Sequence, residues 1–353
     1  MSFSIDTFNF GSTNGVFIIA ELSANHNGSL QHALDTIKAV KRAGANAIKL
    51  QTYTADTITL DCKTDDFKLK HGTIWDGKFL YELYKETYTP WEWHFQLFEM
   101  AKAEGLICFS SPFDRTAVDM LEDLNTPAYK IASFEITDIP LIEYVASKGK
   151  PIIISTGIAS LEDIELAIEA CKCMNNEQII LLKCTSSYPA PMEEANLAII
   201  PDLAHRFGLI TGLSDHTMGI TAPIAATALG AKVIEKHFIT DRSIGGADSS
   251  FSLNEEEFTA MVKAVRETEK AIGKVDYSRT SSTLKNYELS RSLFVVKEIK
   301  IGEIFTHENI RSIRPGYGLH PKYWKEVIGK KSNANLTIGQ PLRADHINNS
   351  KQT

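Results

Sequence analysis

The feature that most constrains the fold is an alternation of short apolar runs with longer helical patterns through the first 273 residues. The clearest repeat has apolar runs at 208–213 and 231–234 on either side of an alanine-rich segment at 220–229, which Gly230 ends. A strand, a helix and a strand in that order form one unit of a parallel sheet. Six earlier runs have the same character and lie at 16–20, 47–51, 106–109, 128–132, 151–154 and 178–182. Eight such strands in about 270 residues predict a (β/α)₈ TIM barrel.

The connections between these runs carry signals of their own. Ser29, Ser160 and Asn254 each stand where a helical pattern begins, and we predict that they cap those helices. An insertion from Thr52 to about Lys78 is too long for an ordinary connection. It therefore predicts a loop that covers substrate.

A change of pattern after residue 273 predicts a second domain. Residues 274–286 are polar and without periodicity, which is typical of a linker. Residues 287–353 alternate short β-like runs with turns and predict a small β-rich module. The predicted organisation is a barrel at 1–273, a linker at 274–286 and the module at 287–353.

Bulk composition excludes several classes of protein. The net charge is −7 and no run of Lys or Arg occurs, which argues against a nucleic-acid partner. The longest apolar stretches have the length of strands, so no transmembrane helix is expected. The N-terminus lacks the pattern of a signal peptide, and five cysteines without framework spacing favour a reducing cytosol.

Two histidines follow neighbouring strands of the predicted barrel. His216 ends the run at 208–213 with its polar cluster, and His237 ends the run at 231–234. Because the carboxyl ends of barrel strands meet at one mouth, the two imidazoles predict a divalent metal site. Two ligands are few for structural zinc, so an exchangeable Mn²⁺ or Mg²⁺ fits better. The alternative for either histidine alone is a hydrogen-bonded structural residue.

Cations and hydroxyls also gather at the predicted strand ends. The lysines are Lys49, Lys130, Lys183 and Lys236, and the hydroxyls are Ser110, Ser111, Ser133, Ser155, Thr156, Ser186 and Ser214. Such a set suits a phosphate or a carboxylate, since each charge-assisted hydrogen bond contributes about 1.5–3 kcal/mol. The alternative for a single lysine is an ion pair with Glu21, Glu135 or Glu235.

Five motifs in order resemble those of the sialic acid synthases. They are Ile-Ala-Glu-Leu-Ser-Ala-Asn-His-Asn-Gly (19–28), Ile-Lys-Leu-Gln-Thr-Tyr (48–53), Tyr-Lys-Ile-Ala-Ser-Phe-Glu (129–135), Gly-Leu-Ser-Asp-His (212–216) and Val-Ile-Glu-Lys-His-Phe (233–238). The segments at 110–113 and 245–253 look more like the branch that makes pseudaminic acid. The N-acetylneuraminate branch typically has Gly-Pro-Asp-His near 246–249 and Asn where Ser186 stands. This family condenses phosphoenolpyruvate with an N-acylated amino sugar, a transferase reaction.

The resemblance implies a role for each candidate residue. His216 and His237 would bind the metal, usually Mn²⁺, with Mg²⁺ or Co²⁺ as alternatives. The residues implied around phosphoenolpyruvate are Lys49, Lys130, Ser133, Ser155, Ser186 and Ser214. Ser111 and Lys183 are further candidates for binding substrate. Gln51 and Asp248 would face the sugar, and Glu21 or Glu135 would act as the base.

The same resemblance extends to the C-terminal module, which looks like the antifreeze-like (SAF) domain of these enzymes. In the family that domain is swapped across a homodimer. The resemblance therefore implies that Arg314 reaches the partner's site and contacts the N-acyl group.

Several alternatives to pseudaminate synthesis stay open at this point. A synthase of the same family would act on a legionaminic acid precursor or on N-acetylmannosamine. A Schiff-base aldolase would use Lys130 or Lys183 as nucleophile, and a non-catalytic protein would bind sugar without releasing phosphate.

Overall fold

A computed structural model describes residues 3–11, 15–70, 72 and 75–348 of the chain. The chain divides into two compact units, Met1–Gly273 and Lys274–Thr353. None of the helices in these ranges is long and apolar enough to cross a membrane.

The first unit begins with a short antiparallel hairpin of strands β1 (Ser4–Ile5) and β2 (Phe8–Asn9). Phe8 packs on Phe17, the first residue of the next strand, with ring centroids 4.7 Å apart. Ile5 and Phe8 belong to the apolar cluster that fills the barrel interior. The hairpin therefore covers the amino-terminal end of the barrel, at the opposite end from the strand termini where a site is expected.

Eight parallel strands close into the predicted barrel. They are β3 (Phe17–Glu21), β4 (Ala47–Thr52), β5 (Ile107–Pro112), β6 (Tyr129–Ile131), β7 (Ile152–Ser155), β8 (Ile179–Cys184), β9 (Ile210–Asp215) and β10 (Val233–His237). Each strand pairs with the next along the chain, and β10 pairs with β3 to close the ring. The prediction of a TIM barrel is confirmed.

Helices surround the barrel. In the chain they lie between its strands or, for the last of them, after strand β10. They are α1 (Leu30–Arg42), α2 (Ala55–Ile58), α3 (Leu80–Thr87), α4 (His94–Ala103), α5 (Arg115–Asp123), α6 (Ile139–Ala146), α7 (Leu161–Cys173), α8 (Ile199–Phe207), α9 (Thr221–Ala228) and α10 (Glu255–Ile272). Ser29, Ser160 and Asn254 accept hydrogen bonds from the backbone N–H groups three residues on. The three predicted helix caps are confirmed, because these side chains satisfy donors that the helix itself leaves unpaired.

The described part of the insertion after β4 contains local secondary structure. It holds the short helix α2, and the backbone of Leu69 pairs with Lys78 and Gly77 through hydrogen bonds of 3.0 and 2.9 Å. Residues 71, 73 and 74, which belong to the predicted covering loop, lie outside the described residues.

Side chains alternate between the two faces of every barrel strand. Phe17, Ile19, Ile153, Leu182 and Val233 are among those that fill the interior. Their neighbours in sequence, such as Ile18, Ile154 and Ile234, pack outwards against the helices. Because a strand has a period of two, this pattern decides which polar residues at the strand ends face the mouth.

The second unit has its own small core. It contains helix α11 (Ser281–Tyr287), the antiparallel strands β11 (Ser292–Val295) and β12 (Ile310–Ile313), and helix α12 (Trp324–Val327). Leu293, Phe305, Ile310 and Leu342 lie fully buried at its centre. Helix α11 occupies part of the segment predicted as an aperiodic linker, where Thr280 caps it by accepting from the Thr283 N–H at 3.2 Å.

Candidate active site

The interior face of the barrel continues into a buried polar cluster at the carboxyl ends of the strands. The cluster consists of the residues that continue the interior face, two or four positions after an interior side chain of each strand. They are Glu21, Lys49, Ser111, Lys130, Ser155, Cys184, Ser214, Glu235 and His237. All nine are buried. Alternation along the strands thus brings together residues separated by more than two hundred positions in sequence.

Lys49 lies at the centre of the acidic part of the cluster. Its ammonium forms an ion pair with Glu21 and lies 3.5 Å from Glu235 Oε1, and its Nζ is 3.4 Å from Ser111 Oγ. Ser214 donates to Glu235 at 3.2 Å. Burial opposes a charge on Lys49, but the two carboxylates outweigh it and hold the pKa of Lys49 above its ordinary value. Lys49 therefore carries a positive charge in the barrel interior.

The two carboxylates that face Lys49 differ in their protonation. Burial raises the pKa of Glu21 to about 7, although Lys49 opposes that shift. Burial acts on Glu235 in the same direction, but Lys49, Lys130 and His216 hold its pKa below the ordinary value. Glu235 is therefore ionised at neutral pH, whereas Glu21 changes its protonation state close to neutral pH.

Lys130 provides a second buried ammonium. It donates to Ser155 Oγ at 2.7 Å and to the carbonyl oxygen of Ile131 at 2.9 Å. Burial lowers the pKa of Lys130, although Glu235 partly offsets this. Within the described part of the chain this donor has no ion pair of its own, which suits it to an incoming anion.

A pair of serines lies close to the lysines. Ser133, in the turn after β6, has its hydroxyl oxygen 2.7 Å from that of Ser186, and the backbone N–H of Ile158 donates to Ser133 at 3.0 Å. Glu135 lies in the same turn, and burial raises its pKa to about 7 against the effect of Lys130. These residues come from three different strand ends.

His216 and His237 lie together, with ring centroids 5.3 Å apart. His216 Nδ1 is 2.9 Å from the carbonyl oxygen of Thr185, so Nδ1 carries the proton and Nε2 is left as an acceptor. His237 Nδ1 is buried and has no hydrogen-bond partner among the residues that the structure describes. Burial, with His216 and Lys49 nearby, places the pKa of His237 well below its ordinary value.

This geometry fits a metal held by two protein ligands. Across the described residues, no group of three or more His, Cys, Asp or Glu side chains is arranged to hold an ion. A closed structural site, which needs about four protein ligands, therefore does not fit. A neutral, unpartnered imidazole beside an oriented one does fit an exchangeable divalent ion whose other positions are filled by water and substrate.

Asp248 lies next to His237 in the cluster. Its carboxylate oxygen lies 3.8 Å from His237 Nδ1, and Ser23 and the backbone of Ala24 hydrogen-bond to it. Burial raises the pKa of Asp248, and His237 is neutral, so the two do not form an ion pair. Gln51 lies on the same face of β4 as Lys49 and pairs in register with Ser111.

The structure does not bring all the predicted lysines to the mouth. Lys183 lies on the outward face of β8, where it donates to the carbonyl oxygen of Cys184 at 2.6 Å and to Thr185 Oγ1 at 3.0 Å. Lys236 lies on the outward face of β10 and forms a buried ion pair with Asp215. The expectation of four lysines around one anion is therefore wrong for Lys183 and Lys236, because both belong to the opposite face of their strands.

Arg314 belongs to the second unit, where it follows β12. Its predicted role in the site of a partner stays a prediction.

Sequence reasoning missed two residues of the site, Tyr188 and Cys184. The Tyr188 ring lies 4.4 Å from that of His216 and 5.4 Å from that of Phe251, which in turn lies 4.9 Å from His237. Tyr188 sits in an irregular segment, so no periodic signal could have placed it. Cys184 lies on the interior face with its Sγ 3.8 Å from His216 Nδ1, and counting in twos along β8 could have found it.

Comparison with known proteins adds information about both units. A model of the NeuB family matches residues 36–277, and a model of the SAF domain matches residues 290–348. The chain is 50% identical to a pseudaminic acid synthase of Campylobacter jejuni, over 95% of this chain and 97% of that protein. It is 48% identical to a pseudaminic acid synthase of Helicobacter pylori, over 94% of this chain and 98% of that protein.

More distant relatives share the same arrangement. An N,N'-diacetyllegionaminic acid synthase of Legionella pneumophila is 35% identical over 96% of each chain. The crystal structure of an N-acetylneuraminic acid synthetase from Leptospira borgpetersenii superposes with a TM-score of 0.73 at 32% identity, covering 82% of this chain and 95% of that one.

Proposed function

This chain belongs to the NeuB family, and from that premise we propose that it is a pseudaminic acid synthase. The reaction condenses phosphoenolpyruvate with 2,4-diacetamido-2,4,6-trideoxy-L-altrose and water, and gives pseudaminic acid and phosphate. The observation that carries the choice of sugar is the gap between 50% identity to a pseudaminic acid synthase and 35% to a legionaminic acid synthase. Both comparisons cover nearly the whole chain, so the gap is not an effect of a missing domain.

The buried lysines support the use of phosphoenolpyruvate. Lys49 and Lys130 place two ammonium groups in the buried cluster, and Ser133, Ser155 and Ser186 add hydroxyl donors. At buried positions, charge-assisted hydrogen bonds to phosphate and carboxylate oxygens are stronger than at the surface, because the local dielectric constant is lower. These residues bind the anion and hold it in position during the reaction.

His216 and His237 are the residues that would hold a divalent ion, with Mn²⁺ as the proposed metal. When bound, the ion would polarise the aldehyde oxygen of the open-chain sugar. His237 is neutral and can bind an ion without first losing a proton. Burial lowers the pKa of His216, but Cys184 and the Thr185 carbonyl outweigh it and raise that pKa, so His216 would give up a proton where it is charged before its Nε2 binds an ion. Asp248 and Gln51 are the proposed contacts of the sugar itself.

The bond changes follow from the products. C3 of phosphoenolpyruvate forms a bond to the aldehyde carbon, and the aldehyde oxygen takes up a proton. Water adds to C2 and gives a proton to a carboxylate, for which Glu21 and Glu135 are the candidates. The C2–O bond to phosphate then breaks, and the bridging oxygen leaves with phosphate. The C2 hydroxyl gives its remaining proton to the departing phosphate, so the oxygen from water stays as the new carbonyl. The proton that the carboxylate took from water balances the one that the aldehyde oxygen gained.

The test is to follow phosphate release by the purified protein with Mn²⁺, phosphoenolpyruvate and a panel of acetamido sugars. We expect the 2,4-diacetamido-L-altrose substrate to react fastest, followed by the legionaminate precursor and then N-acetylmannosamine. Phosphoenolpyruvate labelled with ¹⁸O at the bridging position should yield labelled phosphate. Covalent trapping of the sugar on a lysine by borohydride, without phosphate release, would instead indicate a Schiff-base aldolase.

The pH dependence should identify the base. Glu21 and Glu135 both have a pKa of about 7. A base acts in its ionised form, so turnover is expected to fall as the pH is lowered through about 7. Glu→Gln at the true base should abolish most activity and the acid limb with it, whereas Glu→Gln at the other position should leave the limb in place. An acid limb that survives both substitutions would contradict both assignments.

We also propose that two copies of the chain form a homodimer with exchanged C-terminal modules. The loops that follow three barrel strands expose large apolar side chains, with Phe134 57%, Ile158 48% and Met218 51% exposed. The module also exposes Tyr317 and Ile338. Apolar surface of this kind on two separate units is typical of an interface that a partner covers.

Mixing two inactive variants tests the exchange of modules. We expect His237→Ala and Arg314→Ala each to have little activity alone, because the first lacks a metal ligand and the second lacks the contact to the N-acyl group. If the modules are exchanged, a mixed dimer has one intact site, and random mixing should restore about a quarter of wild-type activity. No recovery after subunit exchange, confirmed by mass measurement of the mixed dimer, would show that Arg314 acts within its own subunit or not at all.

A cytoplasmic location is part of the proposal. All five cysteines are free, in keeping with a reducing compartment.

A further inference from the structure

Gly157 lies in the middle of the serine pair at the barrel mouth. It follows β7, two residues after Ser155. A Cβ atom on this residue would lie 2.5 Å from Ser133 Oγ and closer still to Ser186 Oγ, with Cys184 Sγ at 3.2 Å. The space that a methyl group would fill is therefore the space in which the two hydroxyls meet.

Backbone conformation does not explain why this position holds glycine. Unlike most glycines of the chain, Gly157 has no φ in the left-handed region, so an L-residue can adopt its backbone geometry. No backbone atom is among its three nearest neighbours, all of which are side-chain atoms. Serine hydroxyls move by rotation about one bond, so the fold can accept a methyl group here if the two hydroxyls turn away.

Gly212 provides the contrast within the same barrel. A Cβ there would lie 2.8 Å from Val233 Cβ and 2.9 Å from Leu182 Cδ2, and closer still to the backbone carbonyl oxygen of Val233. These atoms belong to the neighbouring strands and cannot turn away. Gly212 is therefore required by strand packing, whereas the side chains that exclude a Cβ at Gly157 are chiefly the two serine hydroxyls, with Cys184 Sγ as a weaker contact.

We propose that Gly157 is a positioning residue for anion binding: its missing side chain lets Ser133 and Ser186 direct their hydroxyls to one point, where an oxygen of phosphoenolpyruvate binds. This inference rests on the proposed function and extends it to a residue that does not itself donate to the ligand. Ser133 is held in this orientation by the Ile158 N–H, which donates to its oxygen. The 2.7 Å contact between the two serine oxygens uses one hydroxyl hydrogen of the pair and leaves the other free for an acceptor. Lys130 donates to Ser155, which ends β7, and β7 leads directly to Gly157.

The experiment is a double-mutant cycle read by calorimetric binding of phosphoenolpyruvate in the absence of sugar. Gly157→Ala is introduced into the wild type and into the Ser133→Ala/Ser186→Ala variant. In the wild type we expect about a tenfold or greater loss of affinity, because the hydroxyl pair no longer presents its hydrogen bond to a charged ligand. In the double-alanine background the same change should weaken binding by less than about threefold, since no hydroxyl is left to displace.

Steady-state kinetics add a reading that a purely structural role would not change. The KM for phosphoenolpyruvate should rise in Gly157→Ala, while the KM for the sugar stays within about twofold. Thermal unfolding should show a folded protein, in contrast to Gly212→Ala, which we expect to be strongly destabilised.

Three outcomes would count against the inference. Equal losses of affinity in both backgrounds would show that Gly157 acts through the backbone, and no loss in the wild type would show that the hydroxyls do not bind the anion. Unfolding of Gly157→Ala in both backgrounds would also overturn it. If the wild type binds phosphoenolpyruvate but releases no phosphate with any sugar, the proposed function fails while the inference about Gly157 stands.

Discussion

Replacement of His237 by alanine is expected to reduce turnover by about a thousandfold or more while the barrel remains folded. The proposed role of His237 is to hold the ion that polarises the sugar aldehyde, and such polarisation supplies several kcal/mol of transition-state stabilisation. The fold should tolerate the change because His237 Nδ1 has no hydrogen-bond partner to lose. The main structural loss is its contact with Phe251.

The measurement combines activity with metal binding. Wild type should bind Mn²⁺ in a calorimetric titration and show a higher melting temperature in its presence, and His237→Ala should lose both responses. Far-UV circular dichroism should be unchanged. Retained phosphate release at saturating Mn²⁺ would show that the metal assignment is wrong.

His94 offers a matched control for the loss of a buried imidazole. It is buried like His237, with 0% of its surface exposed against 8%, but its Nε2 is 2.9 Å from Thr52 Oγ1 and its Nδ1 is 3.2 Å from the carbonyl oxygen of Pro90. His94→Ala should therefore destabilise the chain by about 1–3 kcal/mol, because it removes two buried hydrogen bonds and leaves a cavity. The folded fraction should still bind Mn²⁺. The two histidines would thus separate a functional from a structural role.

The barrel and the position of its buried polar cluster could be predicted from the sequence because both follow from strong periodic signals. Apolar runs of strand length, separated by helical patterns, leave few alternatives to a closed parallel barrel. The polar clusters with Glu21, Lys49, His216 and His237 come directly after these runs, and the structure brings them together at one end of the barrel. Helix caps such as Asn254 depend on three or four consecutive residues, and they were equally predictable.

The errors concern the face of the strand on which a side chain lies, which the position along the chain alone does not give. Lys183 and Lys236 lie in barrel strands, as Lys49 and Lys130 do. They are, however, one residue out of phase with the interior side chains. A one-residue shift moves a side chain from the mouth to the layer between barrel and helices. The signal was present in the apolar residues Leu182 and Val233, which mark the interior face.

Other features left no periodic signal to detect. The hairpin that covers the amino-terminal end has strands of only two residues, Ser4–Ile5 and Phe8–Asn9. Tyr188 reaches His216 through an irregular segment, and its place depends on tertiary packing with Phe251. Such contacts join residues far apart in sequence, so only the folded chain shows them.

Lys130 lies on the interior face of its strand and Lys236 on the outward face, so the same substitution should affect them differently. We expect Lys130→Met to remove function and Lys236→Met to remove stability. Lys130 donates to neutral oxygens of Ser155 and Ile131 and has no ion pair of its own. Burial lowers its pKa, so its charge costs the folded state free energy that the bound anion would repay. Lys130→Met should therefore weaken phosphoenolpyruvate binding by about a hundredfold, equivalent to the loss of a charge-assisted contact, and leave the melting temperature unchanged or raised.

Lys236 should show the opposite behaviour. Its ammonium forms a buried ion pair with Asp215 and donates to the carbonyl oxygen of Thr217 at 2.6 Å. Lys236→Met leaves the Asp215 carboxylate buried without its cation, a loss of about 3–5 kcal/mol. The protein that remains folded should bind phosphoenolpyruvate with nearly wild-type affinity.

Calorimetric titration with phosphoenolpyruvate and thermal unfolding, applied to both variants at one pH, give the four values needed. If Lys236→Met lost affinity as completely as Lys130→Met while remaining folded, the lysine on the outward face would contribute to the anion site after all. If Lys130→Met lost stability without losing affinity, its ammonium would be a structural donor to Ser155. Because the two residues are equally buried and carry the same substitution, the difference between them isolates the effect of the strand face on which each lies.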